Sequence, residues 1–199
     1  MFTGIITAVT PVVESKLLAD NLRLRLKMPK SWDDLELGES ISVSGVCLTV
    51  SKIEGREYEV ELVPETLQKT TFGQRVPQKV NIERALPAAS RFGGHFVEGH
   101  IDSTGKVLEV DKSDGYRISI AFEPKYQKLV IDKGAIVIDG ASLTVIDPST
   151  GKLSVTLVPY TIEHTTLGNL TKGDQVNLEF DMIGKYVVNV MEHSGNAAA

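Results

Sequence analysis

Four stretches of the chain alternate apolar and polar side chains with a period of two. They are residues 22–28, 58–62, 117–122 and 153–157. Successive side chains of a β-strand point to opposite faces of a sheet, so this period predicts half-buried strands. Glycine recurs at short intervals between such stretches, and short strands separated by turn residues favour an antiparallel barrel or sandwich in each half of the chain.

Only the C-terminal part of the chain has the period of a helix. Between Lys185 and His193 apolar residues recur four apart, as in Val187 and Met191, which places them on one helical face. Gly195 is a plausible residue to end this helix. The apolar face fits two arrangements equally, packing on the same chain or bundling with the same helix of other chains.

The chain contains one sequence pattern twice. Residues 44–50 (Ser-Gly-Val-Cys-Leu-Thr-Val) return as residues 139–145 (Asp-Gly-Ala-Ser-Leu-Thr-Val), and Gly45 and Gly140 are 140 − 45 = 95 residues apart. Further segments repeat at this offset or with one inserted residue: 63–66 with 158–161, 70–73 with 165–168, 78–83 with 174–179 and, loosely, 3–5 with 98–100. Such a period suits a small domain, so the chain is predicted to be two copies of one module.

The boundary between the two modules is expected at residues 85–90, where small residues and a proline end the alternation. We therefore predict an N-terminal domain of residues 1–87, a C-terminal domain of residues 88–183, and a helical tail of residues 184–199. The 199 residues, 42% of them apolar and 24% charged, suffice for two modest cores of ordinary globular composition.

Composition disfavours several classes of function. No segment approaches the roughly 20 apolar residues that a membrane span needs, and the first residues lack the pattern of a secretory signal, so a cytoplasmic protein is expected. A net charge of −5 with interleaved signs gives no electrostatic reason to bind nucleic acid. The single cysteine cannot form an intrachain disulfide. Glycine-rich phosphate loops and a Gly-x-Ser-x-Gly elbow are absent from the sequence, which disfavours nucleotide-dependent enzymes and hydrolases.

Each repeated segment carries a thiol or hydroxyl two residues before a threonine. Residues two apart on a strand face the same way, so Cys47 pairs with Thr49, and Ser142 pairs with Thr144, while the leucine between them faces the core. Such residues are also ordinary in strands and cores. Retention of the pattern in both copies favours a functional site, although shared ancestry explains part of it.

Three ionisable residues are further candidates. His95 and His100 are five residues apart, which on a strand places them on opposite faces and disfavours a shared metal ion. One of them as a titrating base is more plausible, because imidazole changes charge near neutral pH, and a turn histidine bonded to backbone is the alternative. Asp181 stands near the position of Arg84 in the first copy, which indicates a role that only the second copy performs.

Five motifs together resemble the riboflavin synthase family of alpha-chain type. They are residues 1–5 (Met-Phe-Thr-Gly-Ile), 45–50 (Gly-Val-Cys-Leu-Thr-Val), 93–95 with 99–102 (Gly-Gly-His and Gly-His-Ile-Asp), 139–145, and 165–168 (Thr-Thr-Leu-Gly). The resemblance covers essentially the whole chain. It implies an all-β fold of two tandem six-stranded antiparallel Greek-key barrels related by internal duplication, and a C-terminal α-helix that assembles three chains.

The resemblance also implies a reaction. Two molecules of 6,7-dimethyl-8-ribityllumazine would dismutate by transfer of a four-carbon unit, giving riboflavin and 5-amino-6-ribitylamino-2,4-pyrimidinedione. No metal or organic cofactor is implied. The active site would lie between the first barrel of one chain and the second barrel of a neighbour in a homotrimer. The alternative is a non-enzymatic relative, the lumazine protein, which binds the lumazine or flavin as a light-emitting antenna. A flavoprotein reductase barrel fits less well, since its nucleotide-binding second domain is missing.

Carried over by matching motif, the resemblance implies two pockets. The first-barrel pocket would use Gly4, Ile5, Ile6, Cys47, Leu48, Thr49, Glu61, Leu62, Val63, Pro64, Glu65 and Thr66. The second-barrel pocket would use Gly99, His100, Ile101, Lys133, Ser142, Leu143, Thr144, Thr156, Leu157, Val158, Pro159, Tyr160 and Thr161. The implied catalytic residues are Cys47, His100, Ser142, Thr144 and Asp181. Ser142 or Cys47 would activate a nucleophile or be that nucleophile, and His100 would help to move a proton from the acceptor's C7 methyl group.

Overall fold

The structure is a computed structural model that describes residues 1–194 of the chain. Its first half is a closed antiparallel barrel with the strand order β1-β2-β5-β4-β3-β6. The strands are β1 (Ala8–Leu18), β2 (Asn21–Lys27), β3 (Ser40–Val43), β4 (Val46–Glu54), β5 (Glu57–Leu62) and β6 (Lys79–Arg84). The barrel closes because the long β1 pairs with β6 along its first residues and with β2 along the rest.

The second half repeats this arrangement with one strand divided. Its strands are β7 (Ser103–Asp111), β8 (Tyr116–Ala121), β9 (Ala135–Ile138), β10 (Ala141–Thr144), β11 (Ile146–Ser149), β12 (Lys152–Leu157) and β13 (Gln175–Phe180). The order is β10-β9-β13-β7-β8-β12-β11, so β10 and β11 together take the place of β4. Asp147 has a φ of 46° and Pro148 lacks an amide donor, and the pairing of β11 with β12 is irregular between Ile146 and Ser149. The predicted fold of two antiparallel barrels with a C-terminal helix is confirmed.

The alternating patterns located four of the strands but not the short helices. The four alternating stretches correspond, in chain order, to β2, β5, β8 and β12. The expectation that only the tail is helical is wrong, because α1 (Pro64–Lys69) follows β5 and α2 (Pro159–His164) follows β12. Three 3₁₀ segments also occur, at Thr71–Gly73, Pro124–Leu129 and Thr166–Asn169. Both short α-helices begin with proline, whose fixed φ suits the first helical position and whose missing amide costs nothing there.

The tail helix α3 spans Met182–Ser194 and confirms the predicted helix. Gly195, the expected C-cap, lies outside the described residues. The apolar face of α3 is exposed in the single chain; it consists of Ile183, Tyr186, Val187, Val190 and Met191. Polar contacts tie α3 to the second barrel, including the Lys185–Asp102 ion pair at 2.7 Å. Of the two expected arrangements, packing of this face on its own chain does not occur. Within residues 1–194 no helix has the length and apolarity to cross a membrane.

Each barrel has its own apolar core, and each core receives an isoleucine from the other half of the chain. The first core, which contains Leu24 and Val60, also contains Ile101. The second core, which contains Ile118, also contains Ile6. Burying such a side chain contributes roughly 2 kcal/mol of transfer free energy. The exchange therefore stabilises the contact between the two barrels. The predicted boundary after residue 87 falls in the linker between β6 and β7 and stays a prediction.

Two fully buried asparagines bond across the two barrels. Asn81 of β6 donates from Nδ2 to the carbonyl of Asp139 at 2.8 Å, and its Oδ1 accepts from the amide of Thr166 at 2.8 Å. Asn177 of β13 makes the equivalent pair of bonds into the first barrel, at 2.9 and 2.8 Å. Leaving such a buried group unpaired costs about 1–3 kcal/mol. These four bonds therefore fix the position of one barrel against the other.

Candidate functional site

Ser142 lies at the start of β10 and is covered by the N-terminal segment of the chain. Asp139 and Gly140, with φ values of 45° and 85°, turn the chain between β9 and β10. The Ser142 amide donates to the Gly4 carbonyl at 2.8 Å. A Cβ atom on Gly4 would lie 2.5 Å from the Ser142 Cβ, so glycine is needed for this close approach. We call Gly4, Ser142 and Thr144 the Ser142 half-site.

Cys47 has the same relation to the second half of the chain. Its amide donates to the Gly99 carbonyl at 2.8 Å, and a Cβ atom on Gly99 would lie 2.7 Å from the Cys47 Cβ. Phe2 is fully buried in a small cluster against which the partly buried Cys47 packs. The sequence analysis did not select Phe2 as a site residue. We call Cys47, Thr49, Gly99 and His100 the Cys47 half-site.

The structure corrects the expected grouping of the two pockets. The resemblance grouped residues 4–6 with Cys47, and residues 99–101 with Ser142. In the structure the two segments are exchanged: Gly4 contacts Ser142 of the second barrel, and Gly99 contacts Cys47 of the first. The reason is that the segments pair with each other. Phe2 and Val97 form an antiparallel bridge, with N···O distances of 2.7 and 3.2 Å. Each segment is thereby led across to the opposite barrel, where Ile6 and Ile101 enter the cores.

His95, which was considered as a base but not included among the implied site residues, contacts Ser142. Its Nδ1 is 2.7 Å from the Ser142 Oγ, and its buried Nε2 has no hydrogen-bond partner among the described residues. Burial lowers the pKa of this imidazole, and the charge of Asp181 opposes the shift. The neutral ring can accept the hydroxyl proton, which is the arrangement of an oxygen nucleophile beside a base. The sequence signal was the Gly-Gly-His motif of residues 93–95. In the structure, an added Cβ on Gly94 would lie 3.2 Å from the Ser142 Cβ.

His100 lies on the Cys47 side of the molecule and is largely exposed. Its side chain is 70% accessible, and its Nδ1 is 3.9 Å from the Glu98 Oε1. Among residues 1–194 it has no hydrogen bond to Ser142, so the structure brings Ser142 together with His95 instead. The proton-transfer role of His100 stays a prediction.

The remaining implied pocket residues line the barrel rims or the cores. Exposed are Ile5, Thr49, Val63, Pro64, Glu65, Lys133, Thr144, Thr156, Val158, Pro159 and Tyr160; partly buried are Glu61, Thr66, Leu143, Thr161 and Asp181; buried are Leu48, Leu62 and Leu157. Leu48 and Leu143 pack in the cores, as predicted. The ring of Tyr160 stacks on His164 with centroids 4.0 Å apart. Asp181 accepts the amide of Ile183 at 2.9 Å and thereby caps the start of α3.

Two buried carboxylates that the sequence analysis did not select hold the exchanged segments. Glu83 of β6 is 5% exposed and Glu179 of β13 is 1% exposed. Burial raises the pKa of both groups, that of Glu179 to about 7. Their signal was in the repeat, since Val-Asn-Ile-Glu returns as Val-Asn-Leu-Glu. Within the described residues, no cluster of three or more His, Cys, Asp or Glu side chains is arranged to hold a metal ion.

The duplicated barrels and their two like half-sites define the class of protein. The lumazine binding domain model matches residues 3–85 and again residues 98–181, so the chain belongs to this family.

Several proteins are similar to this chain over most of its length. The riboflavin synthase of Actinobacillus pleuropneumoniae is 40% identical over 191 residues, which cover 94% of this chain and 88% of the relative. The riboflavin synthase of Bacillus subtilis (strain 168) is 37% identical over 198 residues, covering 98% and 92%. Among solved structures, LumP complexed with riboflavin superimposes with a TM-score of 0.82 at 25% identity, covering 91% of this chain and 100% of LumP.

Proposed function

We propose that this protein is a riboflavin synthase, a transferase that converts two molecules of 6,7-dimethyl-8-ribityllumazine into riboflavin and 5-amino-6-ribitylamino-2,4-pyrimidinedione. The observation that carries the proposal is the pair of like half-sites, one at Ser142 and one at Cys47, on two copies of one barrel. A reaction between two copies of one molecule needs two like binding places. The riboflavin synthases that resemble this chain over nearly its full length support the same activity.

In this proposal the residues of the two half-sites have two tasks, to bind the substrate molecules and to activate them. Donor and acceptor lose little further entropy in reacting when both are held and aligned, which accounts for much of the acceleration in two-substrate reactions. The threonine hydroxyls and the backbone groups of the rims hold the pyrimidine edges and ribityl chains. Ser142 or Cys47 activates the nucleophile toward the donor ring or acts as that nucleophile. His100 helps to move the proton of the acceptor's C7 methyl group, which conjugation with the ring makes acidic.

We further propose that three chains assemble through α3, and that the first barrel of one chain faces the second barrel of a neighbour. Support comes from the apolar face of α3, whose Tyr186 and Met191 are 65% and 71% exposed in the single chain. Such a stripe on a short helix is stabilised when other helices cover it. The cytoplasmic location stays a prediction from the sequence.

A binding protein without turnover is the second candidate, because the similar LumP structures hold riboflavin or 6,7-dimethyl-8-(1'-D-ribityl) lumazine. The experiment that separates the two is incubation of the purified protein with 6,7-dimethyl-8-ribityllumazine alone, with riboflavin followed by absorbance and chromatography. The proposal expects one riboflavin for every two substrate molecules consumed. Tight binding without riboflavin formation would refute the synthase and favour the binding protein.

A further inference from the structure

The exchanged segments are held by one carboxylate in each barrel. Residues 2–5 and 97–100 belong to no strand ladder beyond the Phe2–Val97 bridge, so their other amide groups need acceptors from elsewhere. Glu83 and Glu179 supply them for five amides, while the amide of Ile5 bonds to the Thr3 hydroxyl. The internal repeat places both carboxylates at the same position of the last strand of each barrel.

Glu83 belongs to the first barrel and holds the segment that completes the Ser142 half-site. Its Oε1 accepts from the amide and the hydroxyl of Thr3, at 2.8 and 2.6 Å, and its Oε2 accepts from the amide of Gly4 at 3.0 Å. The carbonyl of the same Gly4 receives the Ser142 amide. A single residue, Gly4, therefore links a carboxylate of the first barrel to Ser142 of the second.

Glu179 belongs to the second barrel and holds the segment that completes the Cys47 half-site. Its Oε1 accepts from the amide of Glu98 at 2.7 Å, and its Oε2 accepts from the amides of Gly99 and His100 at 2.9 and 3.0 Å. The carbonyl of Gly99 receives the Cys47 amide. A carboxylate of the second barrel thus sets the backbone position of His100 in the half-site of Cys47, which belongs to the first barrel.

We infer that Glu83 and Glu179 are positioning residues that work crosswise, each fixing from its own barrel the substrate half-site on the other barrel. The inference rests on the proposed function, because it takes the two half-sites to be the substrate sites. A carboxylate suits this task because both of its oxygens accept, whereas a glutamine amide offers one acceptor oxygen and an NH₂ group that faces another donor. Hydrogen bonds to a charged acceptor are also about twice as strong as neutral ones. The variants are therefore compared at about pH 8.5, where Glu179, with its pKa of about 7, is ionised.

The single cysteine of the chain allows the two half-sites to be distinguished. Cys47 is the one thiol in the sequence and belongs to one half-site only, so its alkylation reports occupancy of that half-site. A short pulse of iodoacetamide, applied during initial turnover at increasing concentrations of 6,7-dimethyl-8-ribityllumazine and quantified by intact mass, gives the concentration of substrate that half-protects Cys47. Turnover is measured in the same samples.

Crosswise positioning predicts that only one of the two variants changes the substrate concentration that half-protects Cys47. Glu179→Gln is expected to raise the half-protecting concentration about tenfold or more, since it lacks bonds to a charged acceptor. Glu83→Gln is expected to lower turnover to a similar extent but to leave the half-protecting concentration within about twofold of wild type. Equal shifts in both variants, or wild-type protection in Glu179→Gln, would overturn the inference.

Controls separate positioning from folding and from the proposed function. Glu59→Gln changes a buried carboxylate of β5 that pairs with Arg23 at 3.6 Å and belongs to neither segment, so both readouts should stay at wild-type values. If Glu179→Gln does not fold, Glu179→Asp draws the oxygens back by one methylene and is read in the same way. A wild type without turnover would refute the proposed synthase, whereas a wild type that turns over without protecting Cys47 would overturn the inference alone.

Discussion

Replacing Gly4 by alanine tests the contact on which the Ser142 half-site is built. Gly4 has a φ of +77°, and a Cβ atom there would lie 2.5 Å from the Ser142 Cβ and 2.7 Å from its amide nitrogen. The matched control is Gly38→Ala, because Gly38 has a φ of +84° but nothing within 4 Å of an added Cβ. The two substitutions therefore share the backbone strain and differ in the steric clash.

The expected free-energy changes follow from these two terms. A non-glycine residue in the left-handed region costs roughly 1–2 kcal/mol, which both variants lose. Overpacking adds typically 1–3 kcal/mol, and the clash is with backbone as well as side chain, so Gly4→Ala should lose about 2–5 kcal/mol in all. A displacement of Ser142 of about 1 Å can lower turnover on the order of a hundredfold.

Urea unfolding gives the stabilities, and riboflavin formation at a temperature where both variants are folded gives the rates. We expect Gly38→Ala to be mildly destabilised with turnover near that of wild type, and Gly4→Ala to be impaired in both. If the two variants matched in stability and in turnover, the close approach of the N-terminal segment to Ser142 would be refuted.

Three further predictions concern a buried acid, the barrel interface and assembly. Burial raises the pKa of Asp139 to about 7, so the stability that this neutral side chain contributes is fully present below about pH 4 and is lost as the pH rises to about 7. The free energy of unfolding of Asp139→Asn should therefore rise relative to that of wild type by on the order of 4 kcal/mol over this pH range. A difference between the two proteins in urea unfolding that does not change with pH would contradict this. Asn177→Ala leaves the amide of Thr71 and the carbonyl of Ser44 without their buried partner and should lower the unfolding free energy by about 3 kcal/mol, against little change for the exposed Asn189→Ala. If three chains assemble through α3 as proposed, Val190→Glu should dissociate them in sedimentation and abolish most turnover while the chain stays folded, whereas Asn189→Glu should do neither. An unchanged mass for Val190→Glu would argue against assembly through α3.

Four strands and the duplication could be predicted from the sequence, because alternating side chains indicate the strands and repeated motifs indicate the duplication. The alternation at β2, β5, β8 and β12 follows directly from one buried and one exposed face. The helices α1 and α2 could not be found in the same way, since six residues hold too few turns to show an apolar stripe. The proline that begins each of them was the available signal.

The grouping of the half-sites could not be predicted, because periodicity does not say against which barrel a short segment packs. Residues 4–6 precede β1, and residues 99–101 precede β7, so chain order alone assigns each to its own barrel. The resemblance selected His100 for proton transfer, whereas His95 is the histidine that contacts Ser142. Only the three-dimensional contacts, the Phe2–Val97 bridge above all, show that the segments cross.

The exchange of the two segments between the barrels couples the two half-sites to each other. Each barrel binds the other's segment through backbone and through an isoleucine, and holds its own segment through a buried carboxylate, so a displacement of one barrel alters both half-sites together. Asn81 and Asn177 oppose such displacement with bonds that also cross the interface. If the two barrels were joined only by a linker, the angle between them would vary. Because each half-site includes a segment from the other half of the chain, its geometry depends on the interface between the two barrels. The two half-sites are therefore alike in backbone arrangement and differ in their reactive side chains, a histidine–serine pair in one and a thiol in the other.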